Sequence, residues 1–183
     1  MAIAESRLKV DIRESITLNN NKYDSFNSVT LYNISEVAKR IVTLPIGNSG
    51  SSSSPEKEII TISGSIGSGT YLEGDVRYMR FTNLSPFNPI IMEFQNEDSD
   101  SFVTKIGQGL SFIYSGASGS GVINTMDASS GSFGPIDINL SNYAGLGDLT
   151  TITAKASGSS NEYTGDTSGS VHNVDMEIFV AAV

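Results

Sequence analysis

Apolar and polar residues alternate with a period of two along most of this chain, whereas the 3.6-residue period of an amphipathic helix is nearly absent. The clearest run places Val174, Met176, Ile178 and Val180 at every second position. Successive side chains of a β-strand point to opposite faces, so this pattern predicts strands with one face against a core. Comparable runs recur at residues 8–18, 29–34, 59–62, 76–81, 90–94, 110–114, 136–140 and 149–154.

Turn-forming residues separate these runs. Asn19, Asn20 and Asn21 lie where a hairpin turn is expected, and residues 84–89 combine Ser, Pro and Asn. Asn tolerates a positive φ and Pro fixes φ, so both clusters suit tight turns. Short strands punctuated in this way are typical of a sandwich or a barrel. We therefore predict an all-β fold, an antiparallel β-sandwich of jelly-roll or Ig-like type, with little or no helix.

One segment is ambiguous between helix and strand. Residues 35–41 could form a single helical turn capped by Ser35, but Ala38 stands where a capping box needs Glu or Gln. The residues that follow, 42–44, have the composition of a strand.

The distribution of Ser and Gly divides the chain. At 183 residues it suits one domain with a core that needs neither disulfides nor metal. We assign residues 1–46 to N-terminal strands that form an arm or part of the sandwich, 47–57 to a Ser/Gly-rich loop, and 58–183 to the main β-sandwich domain. Further Ser/Gly-rich stretches at 115–121, 128–134 and 156–170 indicate exposed flexible loops or loops that settle against a partner.

The charge balance argues against two classes of partner. The chain carries 11 Lys and Arg against 20 Asp and Glu, a net charge of −9, and its cations are scattered singly. Nucleic acids and anionic membranes bind concentrated cations, so neither is expected as a partner. The sequence shows no run that could span a membrane and no secretory signal, and it contains no cysteine.

The reactive side chains give no catalytic constellation. A Ser-His-Asp centre would have to use His172, the single histidine, with Asp175. Three residues apart on a strand, these side chains would point to opposite faces. Ser118 lies in a Gly/Ser loop without the strand-turn-helix context of a nucleophile elbow. We therefore expect no enzyme activity and read His172 as a surface or loop-packing residue.

Two acidic clusters are candidate ligand sites. Glu97, Asp98 and Asp100 could supply oxygens to calcium, but the loop lacks the glycine and closing glutamate of an EF-hand, so a solvated hairpin tip is favoured. Glu73 and Asp75 could form a glycosidase-like pair, although carboxylates beside a glycine turn are far commoner as surface residues. We predict no metal and no cofactor.

Two binding motifs are also weak. Residues 64–69 superficially resemble a phosphate-binding loop but lack the following lysine and helix. Sugar binding usually relies on aromatic platforms, and the chain has no tryptophan. Packing and interface roles suit its tyrosines at least as well. The tyrosines that could stack on sugars are Tyr23, Tyr32, Tyr71, Tyr114, Tyr143 and Tyr163.

The central segment carries a family resemblance. It reads Val-Arg-Tyr-Met-Arg-Phe-Thr-Asn at 76–83, then a Ser/Pro/Asn turn and Pro-Ile-Ile-Met-Glu-Phe at 89–94. An acidic tip follows, and then Phe-Val-Thr-Lys-Ile-Gly-Gln-Gly-Leu-Ser-Phe at 102–112, which ends in a Gly-x-Ser-Phe strand. This pattern resembles virion proteins of T7-like phages of marine bacteria, over roughly a fifth of the chain. The Met-Ala start, the absence of cysteine and the Ser/Gly loops are similar to small capsid-decorating proteins of such phages.

The resemblance implies a function that the residues alone do not. It implies a structural protein of the virion, assembled in the host cytoplasm, that decorates or cements the capsid as an oligomer and contacts other virion proteins such as the major capsid protein. Residues 7–45 do not match a decoration domain, so a tail or adaptor component is an alternative. A carbohydrate-binding module is another. The runs at 8–12 and 174–180 are candidate edge strands for contacts with neighbours, or they pair with each other.

Overall fold

A computed structural model describes residues 6–46, 54–63, 70–72, 75–96, 99, 101–115, 149–157 and 173–183. Every regular element in these ranges is a β-strand, so the chain is all-β, as the alternation predicts. In chain order the strands are β1 (Arg7–Leu18), β2 (Asn21–Tyr32), β3 (Glu36–Leu44), β4 (Lys57–Ser63), β5 (Thr70–Leu72), β6 (Val76–Asn83), β7 (Ile90–Asn96), β8 (Ser101–Ile106), β9 (Ser111–Ser115), β10 (Leu149–Ala156) and β11 (Val174–Ala182).

The strands form a sandwich and a separate hairpin. A five-stranded sheet in the order β5-β4-β10-β7-β8 packs against a four-stranded sheet in the order β3-β11-β6-β9. Within both sheets the strands pair antiparallel, except that the three-residue β5 runs parallel to β4. Strands β1 and β2 pair only with each other. We call residues 7–32 the hairpin and strands β3–β11 the sandwich.

The inner faces of the two sheets share one apolar core. Phe81, Phe94, Met92 and Met176 are all fully buried in it. The Phe94 ring stacks on that of Phe102, with centroids 4.5 Å apart, and meets Phe81 edge-on at 6.0 Å. Each large apolar side chain buried in this way stabilises the fold by about 1.5–3 kcal/mol. The core therefore uses the alternate residues that the sequence pattern singles out.

The ambiguous segment at 35–41 lies mostly in strand β3. Ala38 and Val42 pack against the core and Leu44 is fully buried, which is the two-residue period of a strand. From Glu36 onwards the segment pairs with β11. Ser35 therefore caps no helix, because the long-range pairing with β11 decides the local conformation.

A bulge in β4 is tied to the opposite sheet. The register with β10 shifts between Ile60 and Glu58, which leaves Ile59 as the additional residue, and both Ile59 and Ile60 are buried. A bulged residue has no ladder partner. The Arg40 guanidinium on β3 donates a hydrogen bond to the Ile59 carbonyl. This bond links the two sheets at the side of the sandwich where β3 and β4 meet.

The connection from β6 to β7 is a turn built on a buried amide, in the segment where Ser, Pro and Asn predict one. Asn83 is fully buried, and its amide nitrogen donates to the Asn88 and Ile106 carbonyls at 2.9 and 3.2 Å. Its side-chain oxygen accepts from the Ser85 backbone N–H at 2.9 Å. A buried polar group that is fully hydrogen-bonded fixes the path of its loop.

The terminal runs do not behave as expected. Strand β11 lies inside the four-stranded sheet between β3 and β6, so the expectation of an edge strand at 174–180 is wrong. The alternative, in which the run at 8–12 pairs with β11, is also wrong, because β1 pairs with β2. The predicted strand at 136–140 lies outside the described residues.

Candidate interaction surface

The hairpin is regular from base to turn. Its twelve residue pairs run without a break from Arg7 opposite Tyr32 to Leu18 opposite Asn21. The two-residue loop consists of Asn19 and Asn20, which have φ of 51° and 63°. Type I′ turns need positive φ at both central positions, and asparagine accepts this conformation better than other residues with a side chain. The turn predicted from the asparagine cluster is therefore confirmed.

The register gives the hairpin two faces of different chemistry. Residues directly opposite each other in an antiparallel pair lie on the same face, and alternate residues lie on opposite faces. One face, which we call the apolar face, contains Leu8, Val10, Ile12, Ile16, Leu18, Tyr23, Val29 and Leu31. The other, which we call the polar face, contains Arg7, Lys9, Asp11, Arg13, Lys22 and Asp24, together with the exposed rings of Phe26 and Tyr32.

Short-range pairs satisfy the polar face. Lys9 binds Asp11 at 3.2 Å and Lys22 binds Asp24 at 2.9 Å. The Ser28 hydroxyl donates to Asp11 at 2.6 Å, and this bond, followed by that from Lys9, lowers the pKa of Asp11 below its ordinary value. The hydrogen bond from Lys22 likewise lowers the pKa of Asp24. On the polar face, Lys9, Asp11, Lys22 and Asp24 thus have internal partners, and Arg13 lies over the Phe26 ring.

The apolar face is covered only at its base. Leu8, Val10 and Leu31 pack against a small cluster formed with Tyr78 and Ala181 of the four-stranded sheet. From residue 11 to residue 29 every residue is exposed.

The rest of this face therefore presents large side chains to solvent. Ile16 is 59% exposed and Tyr23 is 56% exposed. Two-stranded hairpins are marginally stable in water, and exposed apolar surface of this kind marks an interaction site. The projecting apolar face is the candidate interaction surface of this chain.

The outer face of the four-stranded sheet carries an ion cluster beside exposed apolar residues. Glu177 on β11 binds Lys39 on β3 at 3.0 Å and Arg80 on β6 at 2.5 Å. The hydrogen bond from Lys39 is the largest cause of the lowered pKa of Glu177, and the bond from Arg80 adds to it. On either side of Lys39 along β3, Val37 and Ile41 are 56% and 62% exposed.

The outer face of the five-stranded sheet is polar by comparison. Thr153 on β10 donates to Glu56 and Thr61 on β4 donates to Glu58, each at 2.6 Å. Val103 on β8 is an exposed apolar side chain of this face. A sheet face of this composition suits direct contact with water.

The structure places few of the predicted site residues together. Asp175 lies on β11 and accepts a hydrogen bond from the Thr43 hydroxyl at 2.7 Å. Asp75 precedes β6, where its backbone N–H donates to the Leu72 carbonyl at 3.3 Å. The remaining candidates lie outside the described residues: His172, Ser118, Glu73, Glu97, Asp98, Asp100 and the loop at 64–69.

Within the described ranges, no three His, Cys, Asp or Glu side chains are grouped so that they could hold a metal ion. Those ranges also contain no helix that is long and apolar enough to cross a membrane.

The described tyrosines do not form one aromatic platform. Tyr71 and Tyr114 pack against the core, and burial raises the pKa of both phenols. Tyr23 and Tyr32 are exposed but lie on opposite faces of the hairpin. Tyr143 and Tyr163 lie outside the described residues.

The exposed hairpin face is the candidate interaction surface that residue-by-residue inspection of the sequence misses. Its signal is length: β1 and β2 have twelve residues each, about twice the usual length of a strand in a globular protein. When two paired strands are longer than the sheet on which they pack, part of one face has no neighbour.

Comparison with known proteins identifies no relatives. No family model matches this chain, and neither a curated protein nor a solved structure matches it.

Proposed function

We propose that this chain is a non-enzymatic structural protein of a phage particle, which decorates or cements the capsid through protein–protein contacts. The observation that carries the proposal is the exposed apolar face of the hairpin between residues 11 and 29. A surface of this kind gains free energy when a partner removes it from water, by about 25 cal/mol for each Å² buried.

The two faces of the hairpin support a protein partner. The apolar face supplies the hydrophobic area, and the polar face, with Lys9, Asp11, Lys22 and Asp24 in internal ion pairs, remains suited to water. Each contact through so narrow an element is modest. In a particle, symmetry repeats the contact many times, so modest contacts add to a stable attachment.

The setting in a particle rests on the resemblance of residues 76–112 to virion proteins of T7-like marine phages. The partners are then other virion proteins, the major capsid protein first, together with further copies of this chain. The location is the virion, which is assembled in the host cytoplasm. The net charge of −9 and the scattered cations support contact with proteins rather than with nucleic acid.

Co-sedimentation with undecorated heads of T7-like marine phages tests the proposal. We expect the full chain to sediment with the heads. A variant that lacks residues 13–18 and 21–26 should stay in the supernatant. This deletion removes six complete cross-strand pairs, so Ile12 and Asn27 then flank the unchanged Asn19-Asn20 turn on their original face. Heads that bind neither protein contradict the proposal.

A control variant distinguishes the contribution of the apolar face to binding from that of the polar face of the hairpin. The variant Lys22→Gln and Asp24→Asn removes one ion pair of the polar face and keeps the apolar face intact. It should sediment with the heads as the unaltered chain does, because exposed ion pairs contribute little.

A tail or adaptor component of the same particle is the second candidate. The hairpin favours it, because the hairpin occupies most of the segment 7–45 that does not resemble a decoration domain. The position of the subunit in a reconstruction of the particle distinguishes the two: density at the head lattice supports decoration, and density at the portal or tail supports an adaptor.

A further inference from the structure

The apolar face of the hairpin contains one charge in its exposed part. On β1, Glu14 lies between Ile12 and Ile16, which precede and follow it by two residues on the same face. Both isoleucines are exposed. We call Ile12, Glu14 and Ile16 the acidic triplet.

Strand β3 presents the same arrangement with the opposite charge. On the outer face of the four-stranded sheet, Lys39 lies between Val37 and Ile41 at the same two-residue spacing. Both apolar side chains are more than half exposed, and β3 is an edge strand of its sheet. We call Val37, Lys39 and Ile41 the basic triplet.

We infer that the hairpin of one copy docks on β3 of a second copy of this chain, with the acidic triplet against the basic triplet. This inference rests on the proposed role of the hairpin as a contact element and assigns its apolar face to a further copy of this chain. The chain then attaches to the particle as a dimer, and deletion of residues 13–18 and 21–26 weakens attachment by removing the dimer. Stacked faces at equal spacing place Glu14 over Lys39 and an apolar side chain over an apolar side chain on each side. The pattern is symmetrical, so it fits for either relative direction of the two strands.

The charges near the basic triplet can accept a further carboxylate. Lys39 and Arg80 share the single carboxylate of Glu177, which leaves this cluster with a net positive charge. Lys39 is also largely open to solvent. A neighbour's Glu14 would neutralise the cluster, so its burial in the interface would have an opposite charge beside it, as a buried charge requires.

The size of the surface indicates reciprocal docking. With about 4.8 Å per strand and 3.4 Å per residue, eight projecting residue pairs present about 260 Å². A single docking event then buries about 500 Å² in total, whereas two hairpins exchanged about a twofold axis bury about 1,000 Å², the size that a specific interface needs. We therefore expect a closed dimer.

The base of the hairpin already lies on the outer face of the four-stranded sheet. Within one copy, Leu8 and Val10 of the apolar face pack against the cluster of Ile34, Tyr78 and Ala181, next to Phe179 of the same cluster. Docking in a second copy extends this packing to the rest of the apolar face.

Sedimentation equilibrium of the full chain, with charge exchange, tests the inference. We expect a concentration-dependent dimer. Glu14→Lys and Lys39→Glu should each raise the dissociation constant about tenfold or more, because like charges then face each other. The double variant should return it to within about threefold of the original value, since the pair is restored with its signs exchanged.

Apolar substitutions give a second test that does not depend on the Glu177 cluster. Ile16→Ser and Ile41→Ser should each abolish the dimer, whereas Val103→Ser should leave it unchanged. Val103 is the matched control, because it is as exposed as Ile41 and lies on an edge strand of the other sheet. All three variants should unfold at the same denaturant concentration when measured as monomers.

The outcomes separate this inference from the proposed function. A chain that stays monomeric, or a dimer that is insensitive to Glu14→Lys, overturns the docking on β3. A double variant whose dimer dissociates as readily as that of the weaker single variant also overturns the docking on β3. A monomer that still sediments with phage heads leaves the proposed function standing, and a dimer that binds no heads leaves the docking standing.

Discussion

The hairpin and the sandwich contain the same alternation of apolar and polar residues, yet only the sandwich buries its apolar face. In β7 the alternate residues Ile90, Met92 and Phe94 are fully buried, whereas in β1 Ile12 and Ile16 are exposed. Alternation determines which side chains share a face, and a second sheet determines whether that face leaves water. The difference shows that the alternation in a strand specifies an apolar face but does not identify the sheet or partner that buries it.

The largest predicted effect on stability comes from removing one aromatic ring from each region, which tests whether the sandwich is covered and the hairpin is not. Phe94→Ala in the core should lower the free energy of unfolding by about 3–5 kcal/mol, because the ring packs against those of Phe81, Phe102 and Phe112. Phe26→Ala on the hairpin should cost less than about 1 kcal/mol, since that ring is exposed beneath Arg13. Urea unfolding monitored by circular dichroism measures both. Equal losses would mean that the hairpin is not a separate, uncovered element.

The buried side-chain amide of Asn83 tests the same difference between sandwich and hairpin for a polar group. Asn83→Ala should cost about 2–4 kcal/mol, because it removes three hydrogen bonds and leaves the Asn88 and Ile106 carbonyls without this donor. Asn27→Ala on the hairpin is the matched control and should change stability by less than about 0.5 kcal/mol. The same urea titration applies, and a neutral Asn83→Ala would contradict the role given to this amide.

Changing the turn should affect the hairpin alone. Asn20→Val places a β-branched side chain at φ of 63° and should destabilise the hairpin locally by about 1–2 kcal/mol. Amides of β1 and β2 should then exchange faster with solvent, while those of β6, β7 and β11 keep their protection. Asn20→Gly, which suits positive φ, should slow exchange in the hairpin. A loss of protection throughout the sandwich would show that the two regions unfold as one unit.

The smallest predicted effect is on the dependence of stability on pH. The pKa of Glu177 is held below its ordinary value of 4.5 chiefly by the hydrogen bond from Lys39. A carboxylate with a lowered folded pKa contributes stability that is present above pH 4.5 and is lost as the pH falls through the folded pKa. Glu177→Gln should therefore reduce the difference in stability between neutral and acidic pH, measured by thermal unfolding. An unchanged pH dependence in this variant would argue against the ion cluster on the outer face.

The local features of the fold could be predicted from the sequence. Most strands could be predicted, because the period of two is a property of neighbouring residues. The turn at Asn19 and Asn20 could also be predicted, because positive φ is a local requirement. Helix or strand at residues 35–41 could not be decided locally. Pairing with β11, more than 130 residues further on, determines it.

The candidate site could be predicted only in part. The sequence marks Ile12 and Ile16 as apolar and alternating, which is also how it marks core residues such as Met92 and Phe94. Whether a face is covered depends on which strands become neighbours. That in turn depends on pairings such as β3 with β11, for which the sequence of either strand alone carries no signal. The equal spacing of the acidic and basic triplets becomes meaningful only once both are known to be exposed.

The order of the strands in the four-stranded sheet has a consequence for synthesis. Strands β1 and β2 can pair as soon as both have left the ribosome, because two residues separate them. Strand β3 must wait for β11, and the Thr43–Asp175 bond joins residues 132 positions apart. At about 5–20 residues per second the interval is roughly 7–26 s, during which β3 and β6 lack the strand that lies between them. The strands of the hairpin can therefore pair before the sandwich exists, although its base gains the packing on Tyr78 and Ala181 only afterwards. Meanwhile the nascent chain exposes the future core for long enough that a chaperone has time to bind it.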